Sequence, residues 1–325
     1  APSVAAPAGE GPRSCGNVQA LVIVPVSSEV YAGTAAGGLY RSADGGERWI
    51  LVEGPLAGLS VSAVSADVEE KVLYVGTNGA GIFRSADGGQ RWSEANSGLD
   101  NLFVEALAVD AGPPHAVYAA TDGGVFRSLD GGGSWKSFSD GLSDPFVTAL
   151  CLVPGSGTLY AGTKQTGVFR LERGQTRWAS AGSGLSRGAV RGLVAHPSEA
   201  GTLFAATEGG FFKTSAGGET WTPSNTGLTN PSLLALAVDP ASPSRLYACA
   251  VTGLFRTGNS GLNWSRVDVG PARSFLSAVA VDPGRTGTVL VGAEGAVVRS
   301  GDGGKTWKAV VLPPAPPAEE EEEPE

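Results

Sequence analysis

The residues whose type and placing suit hydrolytic chemistry are three carboxylates, Glu105, Asp122 and Glu208. Cleaving a glycosidic bond takes two such groups, roughly 5 Å apart for retention or roughly 6.5–9.5 Å for inversion. Glu105 and Asp122 come from one part of the chain and Glu208 from another, and nothing in the sequence shows that they converge; scattered surface charge is the plain alternative. Other site chemistries are thinner still. Cys15, Cys151 and Cys249 are odd in number and lack the spacing of metal ligands. With only His115 and His196, a three-histidine metal site is impossible. No metal and no cofactor is expected.

The elements that would position any site are read from the seven tryptophans. Trp49, Trp92, Trp135, Trp178, Trp221, Trp264 and Trp307 follow one another at intervals of 43 residues. A period of that size marks a repeat architecture. Each Trp closes a version of Ser-x-Asp-x-Gly-x-x-Trp, as in Ser42-Ala-Asp44-Gly-Gly46-Glu-Arg-Trp49. Asp44, Asp87, Asp130 and Asp302 hold the acid position, with Asn259 close to it; blade four has Arg173 there and blade five Ala216. Glycine permits positive φ in a tight connection, Ser and Asp bond nearby backbone N–H groups, and the indole supplies a large apolar face. Two adjacent degenerate turns suit either a binding edge or local drift around a retained Trp.

Three short apolar segments precede each turn and one follows it. In the second copy they are 61–67, 72–76, 81–85 and 91–95, each too short and too punctuated by Gly, Pro and Asp for a helix. Four antiparallel strands per 43-residue repeat predict an all-β, seven-bladed propeller. The first strand carries apolar residues on both faces, as expected of a sheet packed between two others. A Gly-Leu pair recurs at Gly98-Leu99, Gly141-Leu142, Gly184-Leu185 and Gly227-Leu228 and reads as the passage between blades. The boundaries expected are an extended leader over 1–16, the propeller over 17–312 and a Pro/Glu-rich tail over 313–325. All strands arrive in order, so the ring closes by blade one packing on blade seven unless residues 2–8 add an edge strand. Cys15, alone in the leader, is free to pair with another chain.

Net charge is -9, of which Glu319 to Glu323 and Glu325 supply six, leaving 23 bases against 26 acids. That balance removes the case for nucleic acid, which needs a concentrated positive face. No apolar run is long enough for a helical membrane span.

The turn resembles the Asp-box, or bacterial neuraminidase repeat, at 42–49, 85–92, 128–135 and 300–307, with 257–264 close to it. The surrounding text is similar to the seven-bladed branch that includes photosystem II assembly factors, sortilin-type receptor domains and xyloglucan-degrading hydrolases. The resemblance implies that Asp44, Asp87, Asp130, Asn259, Asp302 and the seven tryptophans are structural, on the face opposite the usual site. Sialidases need three converging arginines; here Arg41, Arg84, Arg127, Arg170, Arg256 and Arg299, with Lys213, recur once per blade and read as structural cations.

Propellers bind at the channel mouth, where blades connect and where strands two and three turn. The first strand enters there through Gln19, Ser62, Glu105, Thr148, Arg191, Leu234 and Ser277. Nearby turns add Asp122, Lys164, Glu208 and Glu294, and inter-blade loops add Asp144, Arg187 and Arg273. The binding residues expected are Gln19, Glu105, Thr148, Arg191, Asp122, Lys164 and Glu208. The function this points to is non-catalytic: an extracytoplasmic assembly factor or accessory subunit that binds another protein through the mouth. The alternative is a glycoside hydrolase acting on a polysaccharide.

Overall fold

The computed structural model describes residues 14–25, 27–112, 115–186, 188–270 and 275–315. These residues build seven sheets, each of four antiparallel strands hydrogen-bonded in chain order. The innermost strands are Val18–Ile23, Val61–Asp67, Val104–Val109, Val147–Leu152, Val190–Ala195, Leu233–Val238 and Ala278–Val281. Strand two of each blade is almost wholly buried, while the outermost strand shrinks to between two and four residues. Apolar clusters form between neighbouring blades, and one of them joins blade one to blade seven. The chain is therefore a seven-bladed propeller, as the tryptophan period requires.

The repeated turn works through its short side chains. Ser42 Oγ donates to Asp44 Oδ1 at 2.8 Å and accepts from Gly46 N at 2.8 Å. Asp44 Oδ1 then accepts from the N–H groups of Glu47 and Arg48 at 2.9 and 3.0 Å. Asn259 repeats the arrangement with Thr257 and Asn263. In blade four the acid's place is taken by Arg173, which reaches back to Asp110 of blade three at 2.8 Å. The degenerate turn has exchanged an internal cap for a bond between blades.

Bonds between blades use three of the repeated arginines and four tyrosines. Arg170, Arg256 and Arg299 donate to the carbonyls of Gly217, Gly303 and Gly45, each in the next blade's turn. Arg41 pairs with Glu29, and Arg127 lies 3.9 Å over the Phe138 ring. Tyr31, Tyr74, Tyr160 and Tyr247 hydroxyls donate to turn glycines one blade on. These cations are structural, spread round the ring.

Ring closure uses blade one against blade seven plus one more element. Ser277 Oγ donates to Val18 O at 2.8 Å, and Gly295 N donates to Gly16 O at 3.0 Å. Beyond the last strand, Lys308–Val311, the chain crosses back over blade one. Leu312 N donates to Gly295 O, Tyr40 Oη donates to Pro313 O at 2.9 Å, and Leu312 and Ala315 are buried. The edge strand considered for residues 2–8 lies outside the described residues. Cys15 is not available to another chain: it is 3% exposed, beneath the Gly37 turn and beside Tyr40. The sequence hid this because Cys15 precedes the first strand, and only the folded seam covers it.

Candidate functional site

At the mouth, each blade offers two side-chain positions: one near the start of strand one and one at the turn after strand two. In blade three, Val104 pairs with Thr121, and Asp122 N donates to Phe103 O at 3.3 Å. In blade five, Val190 pairs with Thr207, and Glu208 N donates to Ala189 O at 3.1 Å. The same backbone frame therefore presents Glu105 beside Asp122 in blade three and Arg191 beside Glu208 in blade five. Blade four presents Thr148 and Lys164, whose N–H donates to Phe146 O at 2.9 Å.

The structure brings five of the expected residues into one electrostatic neighbourhood. Arg191 and Glu208 form an ion pair at 2.7 Å. Glu105 is half-buried, and its carboxyl is raised, by burial first and then by Asp122, while Arg191 and Lys164 pull it down. Glu208 is lowered, first by its hydrogen bond from Arg191, then by the Ala189 N–H, with Lys164 contributing. The Lys164 ammonium rests 5.4 Å from the Phe146 ring centre.

Two expected binding residues have other occupations. Thr148 Oγ1 lies 2.7 Å from Val190 O and 3.2 Å from Gly162 O, so its hydroxyl stitches blade four to blade five. Ser62 and Ser277 do the same toward Val104 and Val18. Gln19, on blade one, accepts from Ser60 Oγ at 3.4 Å and stands apart from the charged group of blades three to five. Asp144 is buried: its two oxygens accept from Phe146 N at 3.1 Å and Gln165 N at 2.8 Å, holding the loop that carries Phe146 to the hairpin that carries Lys164. Arg187 and Arg273 lie outside the described residues.

The sequence reading of charges passed over an apolar column. Positions 103, 146 and 275, again at multiples of 43, are phenylalanines at the head of strand one, and all three are exposed. With Leu102 and Val251 they are five of the ten large apolar side chains exposed among the described residues. The 43-residue period carries this column in the sequence.

Two clefts lie on the opposite face. One of about 460 Å³ sits between the loops of blades four and five beside Arg170, Glu172 and His196, and an apolar one of about 360 Å³ lies between blades one and two. His196 is spoken for, since its Nδ1 accepts from Ser198 N and Glu199 N. Among the described residues no group of three or more His, Cys, Asp or Glu is arranged to hold a metal ion, and no helix is long and apolar enough to cross a membrane.

Together the seven four-stranded sheets, the capped turns and the charged mouth define the class: a seven-bladed β-propeller with Asp-box turns. No family model matches the sequence, and no curated protein sequence matches it. Solved structures do share the fold. A GH74 enzyme of Niastella koreensis superposes with a TM-score of 0.76 at 19% identity, over 92% of this chain and 54% of that one. The GH74 xyloglucanase of Xanthomonas campestris gives 0.74 at 18%, over 93% and 55%. A structure described as YCF48 bound to D1 peptide gives 0.69 at 18%, over 88% of this chain and 94% of that one. The chain thus spans about half the length of the GH74 enzymes it matches and nearly all of the YCF48 chain. At these identities the likeness is one of fold.

Proposed function

We propose that this chain is a non-catalytic binding propeller that takes a polypeptide partner on its channel mouth, as an accessory or assembly subunit outside the cytoplasm. The observation that carries the reading is the composition of that face. Exposed Leu102, Phe103 and Phe146 stand beside Glu105, Asp122, Lys164, Arg191 and Glu208 on rigid inter-blade connections. Aromatic and basic residues within a polar rim are the makings of a protein interface, and exposed apolar patches on a stable fold mark such surfaces. The YCF48 structure, matched over nearly its whole length and holding a peptide, supports the same reading by analogy. The test is recovery of a defined partner by the wild type and by a Glu105→Arg, Arg191→Glu double reversal; equal recovery would end the proposal.

The second reading, a glycoside hydrolase acting on a polysaccharide, has the higher TM-scores on its side. It also has the paired carboxylates of blade three, one of them raised as a general acid requires. Release of reducing ends from a β-glucan, lost in Glu105→Gln and Asp122→Asn, would establish it in place of the first.

A further inference from the structure

Blade five balances its mouth carboxylate with an arginine of its own, and blade three holds a second carboxylate in the arginine's place. In blade five the guanidinium of Arg191 meets the Glu208 carboxylate at 2.7 Å. In blade three the same backbone positions hold two carboxylates, Glu105 and Asp122. Among the described residues neither carboxylate has a hydrogen-bond or ion-pair partner at its side chain. Among the described residues, the two cations that act on Glu105 are engaged: Arg191 by Glu208, and Lys164 over the Phe146 ring. Burial and the neighbouring Asp122 charge raise the cost of ionising Glu105. A guanidinium placed between them removes that cost and adds charge-assisted hydrogen bonds, two of them where the fork meets one carboxylate squarely. Apolar surface flanks the pair, with Leu102 37%, Phe103 48% and Phe146 37% exposed.

From this we infer that the polypeptide partner inserts an arginine between Glu105 and Asp122 and lays apolar neighbours on Leu102, Phe103 and Phe146. The inference rests on the polypeptide reading and names its chemistry. Charge and shape act together here: the carboxylates select the guanidinium, and the phenylalanines hold the side chains on either side of it. A lysine would fill the charge but not the planar fork, so arginine is the better fit. Arg191→Gln would leave Glu208 exposed without its partner and offer a second, weaker place for the same group.

The test uses three end-blocked heptapeptides with leucines around a central arginine, glutamine or glutamate, titrated against the whole chain by fluorescence anisotropy. The arginine peptide should bind at least about tenfold more tightly than the glutamine peptide, the equivalent of about 1.4 kcal/mol. Glu105→Gln and Asp122→Asn should each abolish that preference while leaving the glutamine peptide's affinity in place. Phe103→Ser should weaken the arginine and glutamine peptides alike. Preference for arginine should also fade in acid, as the raised Glu105 carboxyl takes up its proton. Equal binding of arginine and glutamine peptides, or a preference that survives Glu105→Gln, overturns the inference while Phe103-dependent binding keeps the polypeptide reading. Failure of all three peptides overturns the inference as well. If in that case cellohexaose binds in a Phe103-dependent way, the polypeptide reading falls with it.

Discussion

The indole N–H of Trp178 donates to the carbonyl of Phe138 at 2.7 Å, across the boundary between blades four and three. Trp135, Trp221 and Trp264 make the same bond to Ala95, Ala181 and Ser224. These are the four junctions that carry the Gly-Leu pair. At Gly141, where φ is +94°, a Cβ would stand 2.3 Å from the Trp178 carbonyl oxygen, so only glycine lets the strand end pass so close. Trp92 and Trp307 instead bond Gly89 and Gly304 of their own turns, and Trp49 Nε1 is buried without a partner. The ring has four strongly stitched junctions and three of another kind.

That asymmetry sets the cost of losing each indole. Trp135→Ala should destabilise by about 3–5 kcal/mol, the range for deleting a buried large aromatic. Trp307→Ala, which removes a half-buried ring bonded only to its own turn, should cost less than half as much. Urea melts of the two variants, compared at equal m-value, check the order.

The turn acids should show in acid titration. The Ser128 and Ser134 hydroxyls, followed by the Ser134 N–H, hold the Asp130 carboxyl down to about 2. The folded state thus favours the ionised form, so the stabilisation is present above an unfolded aspartate's pKa of about 4 and is lost as pH falls toward about 2. Asp130→Asn should flatten the melting temperature over that window. At neutral pH Asp130→Ala should cost about 0.5–2 kcal/mol, as for loss of a side-chain cap, and a loss larger than that of Trp135→Ala would contradict the order given to the two anchors.

Glu105 works with the opposite sign. Its carboxyl is raised by burial and by Asp122, so the folded state favours the protonated form, and stability is lost as pH rises through the folded value. Glu105→Gln should melt higher than the wild type at pH 8 and level with it near pH 4. A constant difference between the two across that range would mean that the carboxyl is not raised.

The seam between blades seven and one should be the easiest to open. Tyr40→Phe removes the hydroxyl bonded to Pro313 O, a loss of about 0.5–1.5 kcal/mol. Cys15, covered by that seam, should then react several-fold faster with a maleimide. Cys151 and Cys249, buried within their blades, should keep their rates. Unchanged labelling of Cys15 would show that the crossing segment does not guard the seam.

The fold was legible because one chemical unit repeats: the indole spacing fixed blade number, and the strand text of the second copy, 61–67 and 72–76, agrees with Val61–Asp67 and Val72–Thr77. The site was legible only by position. Charge at the head of strand one pointed to the mouth, but side-chain use there depends on contacts between blades that spacing does not encode. Thr148 looked free and is bonded to Val190. Glu105 and Asp122 were both expected at the mouth, and what spacing did not show is that they occupy the frame of the Arg191–Glu208 pair. Cys15 read as a leader cysteine able to pair with another chain, and is covered by a segment from the far end of the described chain.

The central claim is that the mouth of blades three and four is the working face and that its ligand is a polypeptide. A photoreactive group attached at Phe103, compared with one at Leu262 on the opposite face, tests it most directly in native extract. The account predicts one discrete protease-sensitive adduct from position 103, absent from 262 and lost in the Glu105, Arg191 double reversal. Equal adducts from both positions, or none from 103, would contradict it.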